Sequence, residues 1–268
     1  MTPAFRILQT VSGMLLGALI CVAAAHADTL SDIHARKQVR IAIDLGVPPF
    51  GMTDATMQPE GSDVDIARMI AKDLGVELEM VPVTGPDRIS LLLSGKADMV
   101  ISSFSITPAR EKLIAFSKPY GALLLVIAAP RNVSIHSLSD LAGKRVGVVR
   151  GNLQDTVLTP VAPQGTSIAR YDDDAAVDAA LLSGEIDALC SVDSLVQTLA
   201  RRHPEKQLEI KFQVHLNPYA IGVRQQDTAL LQWLNQWITT NMKNGRLQQT
   251  YVKWMRSPFP DLDSFEKP

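Results

Sequence analysis

The sequences RIAIDLG at residues 40–46 and RVGVVRG at residues 145–151 follow one pattern. In each of them an arginine precedes three residues typical of a buried strand, then two further residues and a glycine. The pattern predicts a strand that runs into a glycine loop. Because it occurs once in each half of the chain, we expect two halves built on the same plan.

A second pair of repeats supports this plan. LLSGKAD at residues 92–98 is echoed by LLSGEID at residues 181–187, and apolar residues follow each. Glycine accepts the positive φ that ends a helix, so each repeat predicts a helix end and then a buried strand. Alternating strands and helices predict an α/β fold with mostly parallel sheets, which bind ligands where loops leave the carboxyl ends of the strands.

The end of the chain is expected to return to the first half. Residues 219–223 have the apolar character of a strand, and two amphipathic helices follow on either side of Gly245. We therefore expect one lobe from residues 28–121 and 219–268, and a second lobe from residues 122–218. The cleft between two such lobes is a favoured place for a small ligand.

The first 27 residues have the layout of a secretory signal. Arg6 precedes an apolar stretch at residues 11–25, and an A-x-A cleavage site ends at Ala27. We expect cleavage after Ala27, which leaves Cys190 as the one thiol and no internal disulfide. A retained membrane anchor and a lipid-modified Cys21 stay open as alternatives.

Composition excludes several classes of function. The chain has 26 Lys plus Arg against 28 Asp plus Glu, and its basic residues form no run, so nucleic-acid binding is not expected. The sequence lacks G-x-S-x-G, phosphate-loop, G-x-G-x-x-G and H-E-x-x-H motifs, and its five histidines are scattered. We therefore expect no catalytic residues, no metal and no cofactor.

The stretch SSFSITPAR at residues 102–110 carries the most information about a ligand. It follows an apolar strand, and its hydroxyl and backbone N–H groups suit an anion, with Pro108 opening a short helix. The guanidinium of Arg110 suits a carboxylate, with about 1.5–3 kcal/mol for each charged hydrogen bond. A Ser/Thr turn in which Arg110 pairs with Glu111 explains the same residues.

This stretch, together with FSKPY at residues 116–120, resembles the signature of the family 3 extracellular solute-binding proteins, the polar amino-acid receptors of ABC importers. The likeness continues at residues 48–50, 61–65 and 140–148. It implies a two-lobed periplasmic-binding-protein fold of type II, in which two crossing strands join the α/β lobes. We place the crossings near residues 121–125 and 219–223.

The resemblance also implies a ligand site. Arg110 matches the arginine that grips the ligand carboxylate, and the backbone N–H groups of one loop in the second lobe reach the same carboxylate. The family's aspartate for the ligand ammonium falls on Val192 in direct register, so Asp193, one residue later, is the expected partner, although an N-cap role also explains it. The expected site residues are Asp44, Val47, Phe50, Gly85, Ser103, Ser105 and Arg110 in the first lobe, and Gly151, Asn152, Leu153, Gln154 and Asp193 in the second.

Departures from the family pattern affect the expected ligand. Val47, Ser62 and Gly85 stand where family members usually carry aromatic or large apolar residues. Since each lost cation–π contact forgoes about 0.5–2 kcal/mol, a cationic side chain is less favoured. The space left by these three departures is expected to admit a bulkier ligand, a differently shaped acid or water.

We therefore expect a monomeric periplasmic receptor. It would capture an amino acid or related small carboxylate by lobe closure and deliver it to an ABC permease in the inner membrane. A stand-alone periplasmic sensor is one alternative. Another is an enzyme similar to cyclohexadienyl dehydratases, for which Asp44 and Asp193 are the candidate acids.

Overall fold

The computed structural model describes residues 28–256 and 258–262. The expected signal peptide, its cleavage site at Ala27 and the lipidation alternative at Cys21 lie outside these residues. Across the part of the chain that is described, no helix has both the length and the apolar character needed to cross a membrane.

Helices and strands alternate along most of the chain. The strands are β1 (Gln38–Ile43), β2 (Met52–Thr53), β3 (Pro59–Glu60), β4 (Glu77–Pro82), β5 (Met99–Val100), β6 (Ala115–Phe116), β7 (Gly121–Pro130), β8 (Arg145–Val149), β9 (Ser167–Tyr171), β10 (Ala188–Val192), β11 (Leu208–Tyr219) and β12 (Gly222–Val223). The helices are α1 (Thr29–Arg36), α2 (Ser62–Leu74), α3 (Arg88–Leu93), α4 (Pro108–Glu111), α5 (Leu153–Leu158), α6 (Asp174–Ser183), α7 (Asp193–Arg202), α8 (Thr228–Lys243) and α9 (Arg246–Met255).

The first sheet has the strand order β4-β1-β5-β12-β6. Strand β1 lies parallel to both β4 and β5, while β12 runs antiparallel to its neighbours. Helix α2 buries one apolar face and ends at Gly75, whose φ of 70° is left-handed. The C-terminal helices α8 and α9 pack on this lobe, because Leu230, Leu234 and Leu247 share one core cluster with residues of β1 and α2.

The second sheet has the order β11-β7-β10-β8-β9. Strands β8, β9 and β10 run parallel, and the long strands β7 and β11 pair antiparallel. The repeats therefore occupy matching places, since RIAIDLG forms β1 and RVGVVRG forms β8. The predicted α/β architecture with two lobes is confirmed.

The chain passes between the sheets along β7 and β11. Residues 121–125 begin β7 as expected, but residues 219–223 are not one strand, because β11 ends at Tyr219 and β12 begins at Gly222. The return crossing therefore runs along the end of β11, and β12 already belongs to the first sheet. The chain changes hydrogen-bonding partners between them: Ala220 donates its N–H to the carbonyl of Phe104.

An aromatic cluster packs where the two lobes join. The ring of Tyr219 meets Phe50 at 5.9 Å and Tyr120 at 4.7 Å between centroids, both edge to face. Gly121 leaves no room for a side chain, since a Cβ atom there would overlap the hydroxyl of Tyr219. Glycine at the start of β7 thus allows the two crossing strands to lie against this cluster.

Candidate functional site

The guanidinium of Arg110 lies inside the molecule at the start of the short helix α4. Thr107 caps that helix and accepts a hydrogen bond from the N–H of Arg110 at 3.3 Å. Only 7% of Arg110 is exposed. Nη1 donates to the carbonyl of Ser105 at 2.9 Å, and Nη2 lies 3.4 Å from the carbonyl of Gly151 in the second lobe.

Arg110 has no salt-bridge partner among residues 28–256 and 258–262, so the pairing with Glu111 is not formed. Its guanidinium carbon lies 4.8 Å from the centroid of the Phe104 ring. Burial, with the positive charge of Arg88 nearby, lowers the pKa of Arg110 to about 9. An anion beside this guanidinium would relieve both effects.

Asp63 supports the loop that precedes Arg110. Ser103 has a φ of 40°, which is unusual for a residue with a side chain. The carboxyl group of Asp63 accepts a hydrogen bond from the N–H of Ser103 and another, at 3.1 Å, from the hydroxyl of Tyr120. Burial of Asp63 raises its pKa to about 7.

The loop of the second lobe leaves two backbone N–H groups for a ligand. Gly151 has a φ of 67° and donates its N–H to Asp155 at 3.0 Å, while the N–H of Asn152 bonds to the carbonyl of Val149. The N–H groups of Leu153 and Gln154 open helix α5 and have no intrahelical carbonyl to bond. Of the backbone N–H groups expected to bind a ligand at residues 151–154, those of Leu153 and Gln154 are therefore the ones left for it.

The two lobes touch each other directly at Arg88 and Asn152. Nη2 of Arg88 donates to Oδ1 of Asn152 at 2.6 Å, and its other nitrogens donate to the carbonyls of Gly85 and Ser102. A Cβ atom on Gly85 would lie 2.5 Å from Nδ2 of Asn152. The expectation of empty space is therefore wrong at Gly85, because the side chain of Asn152 fills the space there.

The cleft encloses a cavity of about 30 Å³ between the lobes. Its lining comprises Asp44, Val47, Arg88, Ser103, Ser105, Leu123, Asn152, Leu153, Gln154, Asp174, Val192 and Leu195. Seven of the twelve expected site residues are among them. Arg110 and Gly151 border the cavity through the contacts described above, and Gly85 does so through Asn152.

Two expected residues lie elsewhere. Phe50 and Asp193 line a separate cavity of about 210 Å³, between the start of α7 and helix α9. Asp193 is the first residue of α7, and Val192 lines both cavities, whereas Asp193 lines only the second. A role for Asp193 in ligand binding remains a prediction, and the cleft position falls to Val192.

Sequence reasoning missed two charged residues of the cavity, Arg88 and Asp174. Arg88 begins α3 only three residues after Gly85, in a segment without a motif. Asp174 belongs to the run Asp172–Asp174, which is typical of a helix start, and Asp173 caps α6. The run follows β9, a parallel strand, and this position at the carboxyl end of a strand is the signal that could have placed it at the ligand edge.

Two carboxylates face the cavity from opposite lobes. Asp44 follows β1 and accepts a hydrogen bond from the N–H of Gly46 at 2.9 Å, while Asp174 begins α6. Burial raises the pKa of Asp44. Burial, and next the negative charge of Asp44, raise the pKa of Asp174 to about 7. The cavity therefore combines a guanidinium that favours an anion with carboxylates that favour a cation.

Comparison with known proteins gives one consistent result. Residues 39–257 match the model of the bacterial extracellular solute-binding proteins, family 3. The ABC transporter glutamine-binding protein GlnH of Bacillus subtilis is 30% identical over 236 residues, which cover 85% of each protein. Among solved structures, an ancestral arginine-binding protein bound to arginine has a TM-score of 0.78 and 33% identity, over 82% of this chain and 98% of that one.

A third relative bears on the enzyme alternative. An ancestral amino-acid-binding protein, described as a precursor of cyclohexadienyl dehydratase, has a TM-score of 0.77. It is 30% identical, over 85% of this chain and 99% of that one.

Proposed function

This chain belongs to the bacterial extracellular solute-binding proteins of family 3, and we propose that it captures an amino acid or a related small carboxylate between its two lobes. Its relatives include amino-acid-binding proteins of ABC transporters. By analogy with them, the captured solute would pass to a permease.

The buried guanidinium of Arg110 carries this proposal. It lies at the boundary of the lobes, its only protein acceptors within the described residues are two carbonyl groups, and no carboxylate neutralises it. An ionised ligand carboxylate supplies the missing charge and reaches the free N–H groups at the start of α5 from the other side. Closure of the lobes on one anion follows, because each lobe provides part of its binding site.

We extend the proposal to the protein's location and partners. Export to the periplasm with cleavage after Ala27, monomeric function and delivery to an inner-membrane ABC permease fit the sequence of residues 1–27 and the family. Sequencing the N-terminus of the protein recovered from the periplasm tests the first of these. A mature chain that begins at Asp28 is the expected result.

A dehydratase remains the second candidate because of two observations. One structural relative is a precursor of such an enzyme, and Asp174, whose pKa is raised to about 7, is a cavity carboxyl group that can hold a proton at neutral pH. The receptor is the better-supported function, since the curated relatives are binding proteins.

A melting screen across amino acids and small organic acids tests the proposed function. A ligand at 100 times its Kd adds about 2.7 kcal/mol to the free energy of unfolding. For a protein of this size the Tm should rise by roughly 5–11 °C. The Arg110→Ala variant should lose this shift, whereas Arg150→Ala should keep it, because Arg150 lies on the loop after β8 with its side chain 59% exposed.

The screen has clear contrary outcomes. If no amino acid or organic acid raises the Tm of the wild-type protein, the proposed function is wrong. If Arg110→Ala melts with the same shift as wild type, Arg110 is not part of the site.

A further inference from the structure

Another cavity between the lobes is lined by basic side chains. It has a volume of about 280 Å³ and lies between the end of α7 in the second lobe and two parts of the first lobe, helix α9 and the loop after β1. We call this cavity the basic groove, and its lining includes Pro48, Pro49, Arg201, Arg202, Lys253 and Arg256. It shares no lining residue with the cavity of about 30 Å³ in the cleft. The basic groove is therefore distinct from the site proposed above.

Three of the four cations in the basic groove have no acidic partner. Lys253 pairs with Asp65 at 2.6 Å. In residues 28–256 and 258–262, no carboxylate lies within salt-bridge distance of Arg201, Arg202 or Arg256. All three arginines are exposed. An ion from solvent can therefore reach guanidinium groups whose charge the described residues leave without a pairing carboxylate.

The acidic residues nearest to the groove do not fill this role. Asp178 of α6 lies near Arg202 but outside salt-bridge distance. Asp193 lines the adjoining cavity of about 210 Å³, and it precedes Arg201 by eight residues, or about 12 Å along α7. The side chain of Arg201 donates instead to the neutral hydroxyl of Thr198 at 2.9 Å.

The positive charges of the basic groove come from both lobes. Arg201 and Arg202 end α7 in the second lobe, and Arg256 follows α9 in the first. A groove lined by charges of one sign between protein walls concentrates ions of the opposite sign. Each guanidinium has a planar set of N–H donors that matches the oxygens of phosphate and carboxylate groups. The groove thus has the charge and the donors that suit an oxyanion.

The size and shape of the groove restrict the anion. Ligand pockets usually have volumes of about 300–1,000 Å³, and a groove of about 280 Å³ therefore suits a small molecule. Since three guanidinium charges are available, an anion with several charges gains more there than a monovalent one. Because the two lobes wall the groove on opposite sides, it suits a free ion better than the flat surface of a membrane.

We propose that the basic groove binds a small multivalent oxyanion of the phosphate type, which bridges Arg201 of the second lobe and Arg256 of the first. Such an anion offsets the repulsion between arginines that the two lobes bring together. It also opposes separation of the lobes from a place outside the cleft. This inference does not depend on the proposed function, because the groove and the cleft cavity have no lining residue in common.

Calorimetry with inorganic pyrophosphate, in the absence of any amino acid, tests this inference. The wild-type protein should bind pyrophosphate at low ionic strength and bind it more weakly as sodium chloride is added, because the groove is open to solvent. Arg201→Gln and Arg256→Gln should each weaken binding by about tenfold, the low end of the range for hydrogen bonds to charged groups.

Two further variants are controls. Lys243→Gln removes one positive charge from an exposed site at the end of α8 that also has no acidic partner among the described residues, and it should bind pyrophosphate as the wild type does. Arg110→Ala should bind it equally well, because Arg110 belongs to the cleft. Thermal melting of each variant verifies that it is folded.

Four results would overturn the inference. The first is absence of pyrophosphate binding by the wild type, including the case in which vesicles of anionic phospholipid bind instead. The second is a loss of binding in Arg110→Ala, which would place the anion in the cleft. The third is an equal loss in Lys243→Gln, which would show a general effect of net charge. The fourth is a loss in only one of Arg201→Gln and Arg256→Gln, since a bridging anion needs both arginines.

Discussion

Nη2 of Arg88 and Oδ1 of Asn152, which belong to different lobes, lie 2.6 Å apart. Asn152 fits there because Gly85, opposite it, has no side chain. A glycine and an arginine of the first lobe thus receive an amide of the second. This contact links the two lobes through their own side chains and occupies space that the family pattern assigns to an aromatic residue.

Gly85→Ala should break this contact. The added methyl group would lie 2.5 Å from Nδ2 of Asn152 and displace its side chain. Asn152→Ala removes the same hydrogen bond, and each variant should lose about 1.5–3 kcal/mol in denaturant unfolding, since Arg88 is charged and buried. Because both changes remove the same interaction, the double variant should be as stable as the less stable of the two single variants. Additive losses would show that the two residues act independently.

Asp63→Asn should change how stability depends on pH. The pKa of Asp63 is about 7 in the folded protein, against an ordinary value of 3.8. Between pH 3.8 and about 7 this carboxyl group is protonated in the folded protein and ionised in the unfolded chain, so folding takes up a proton. The stabilising contribution of the protonated group is fully present below pH 3.8 and is lost as the pH rises through about 7. Asparagine does not titrate, and relative to wild type the variant should gain on the order of 4 kcal/mol between pH 4 and pH 8.

Denaturant unfolding at several pH values measures this effect. Asp174 and Asp178, with pKa values raised by burial to about 7 and about 6, contribute with the same sign and remain in the variant. The free energy of unfolding of Asp63→Asn should therefore depend less on pH than that of the wild type, but it should still depend on pH. Parallel curves for the variant and the wild type would contradict a raised pKa at Asp63.

Gly121→Ala should destabilise the junction of the lobes. The new methyl group would overlap the hydroxyl and ring of Tyr219, which is 2% exposed and packed against Phe50 and Tyr120. Overpacking of this kind costs about 1–3 kcal/mol or more. A fall in the free energy of unfolding of at least about 2 kcal/mol is expected in urea. A loss below about 0.5 kcal/mol would mean that the crossing strands move apart without strain.

No turnover is expected with prephenate or arogenate. A dehydratase needs a cleft acid that protonates the leaving group, but the curated relatives are binding proteins. Spectroscopic assays of purified protein should match a blank without protein. Turnover that disappears in Asp174→Asn and persists in Asp172→Asn would instead establish the enzyme.

Periodicity and glycine placement were sufficient to predict the lobes. The repeats RIAIDLG and RVGVVRG became β1 and β8 because apolar strand residues before a glycine leave few other structures open. Three aspartates at residues 172–174 are typical of a helix start, and α6 begins there. The end of β11 was harder, since residues 219–223 are apolar throughout and only tertiary pairing decides which sheet each residue joins.

The lining of the candidate cavity was predicted where it rests on local sequence and missed where it depends on the approach of the lobes. Ser103, Ser105 and Arg110 follow one strand, and the two serines line the cavity while Arg110 contacts the carbonyl of Ser105 beside it. The partners of Arg88 and Gly85 come from a segment about 65 residues away, so no spacing in the sequence reveals them. The sequence around Asp174 indicates a helix start. It does not indicate that Asp174 shares a cavity with residues of the first lobe.

The direct contact between Arg88 and Asn152 competes with a solute for the space between the lobes. Because the cavity between the lobes holds only about 30 Å³, an amino acid that enters the cleft is expected to separate Arg88 from Asn152. Part of its interaction energy is then spent on breaking this contact, and its apparent affinity falls. The same competition assists unloading, because a side chain stands ready to take the place of the departing molecule. A variant in which this contact is weakened should therefore bind its solute more tightly and release it more slowly.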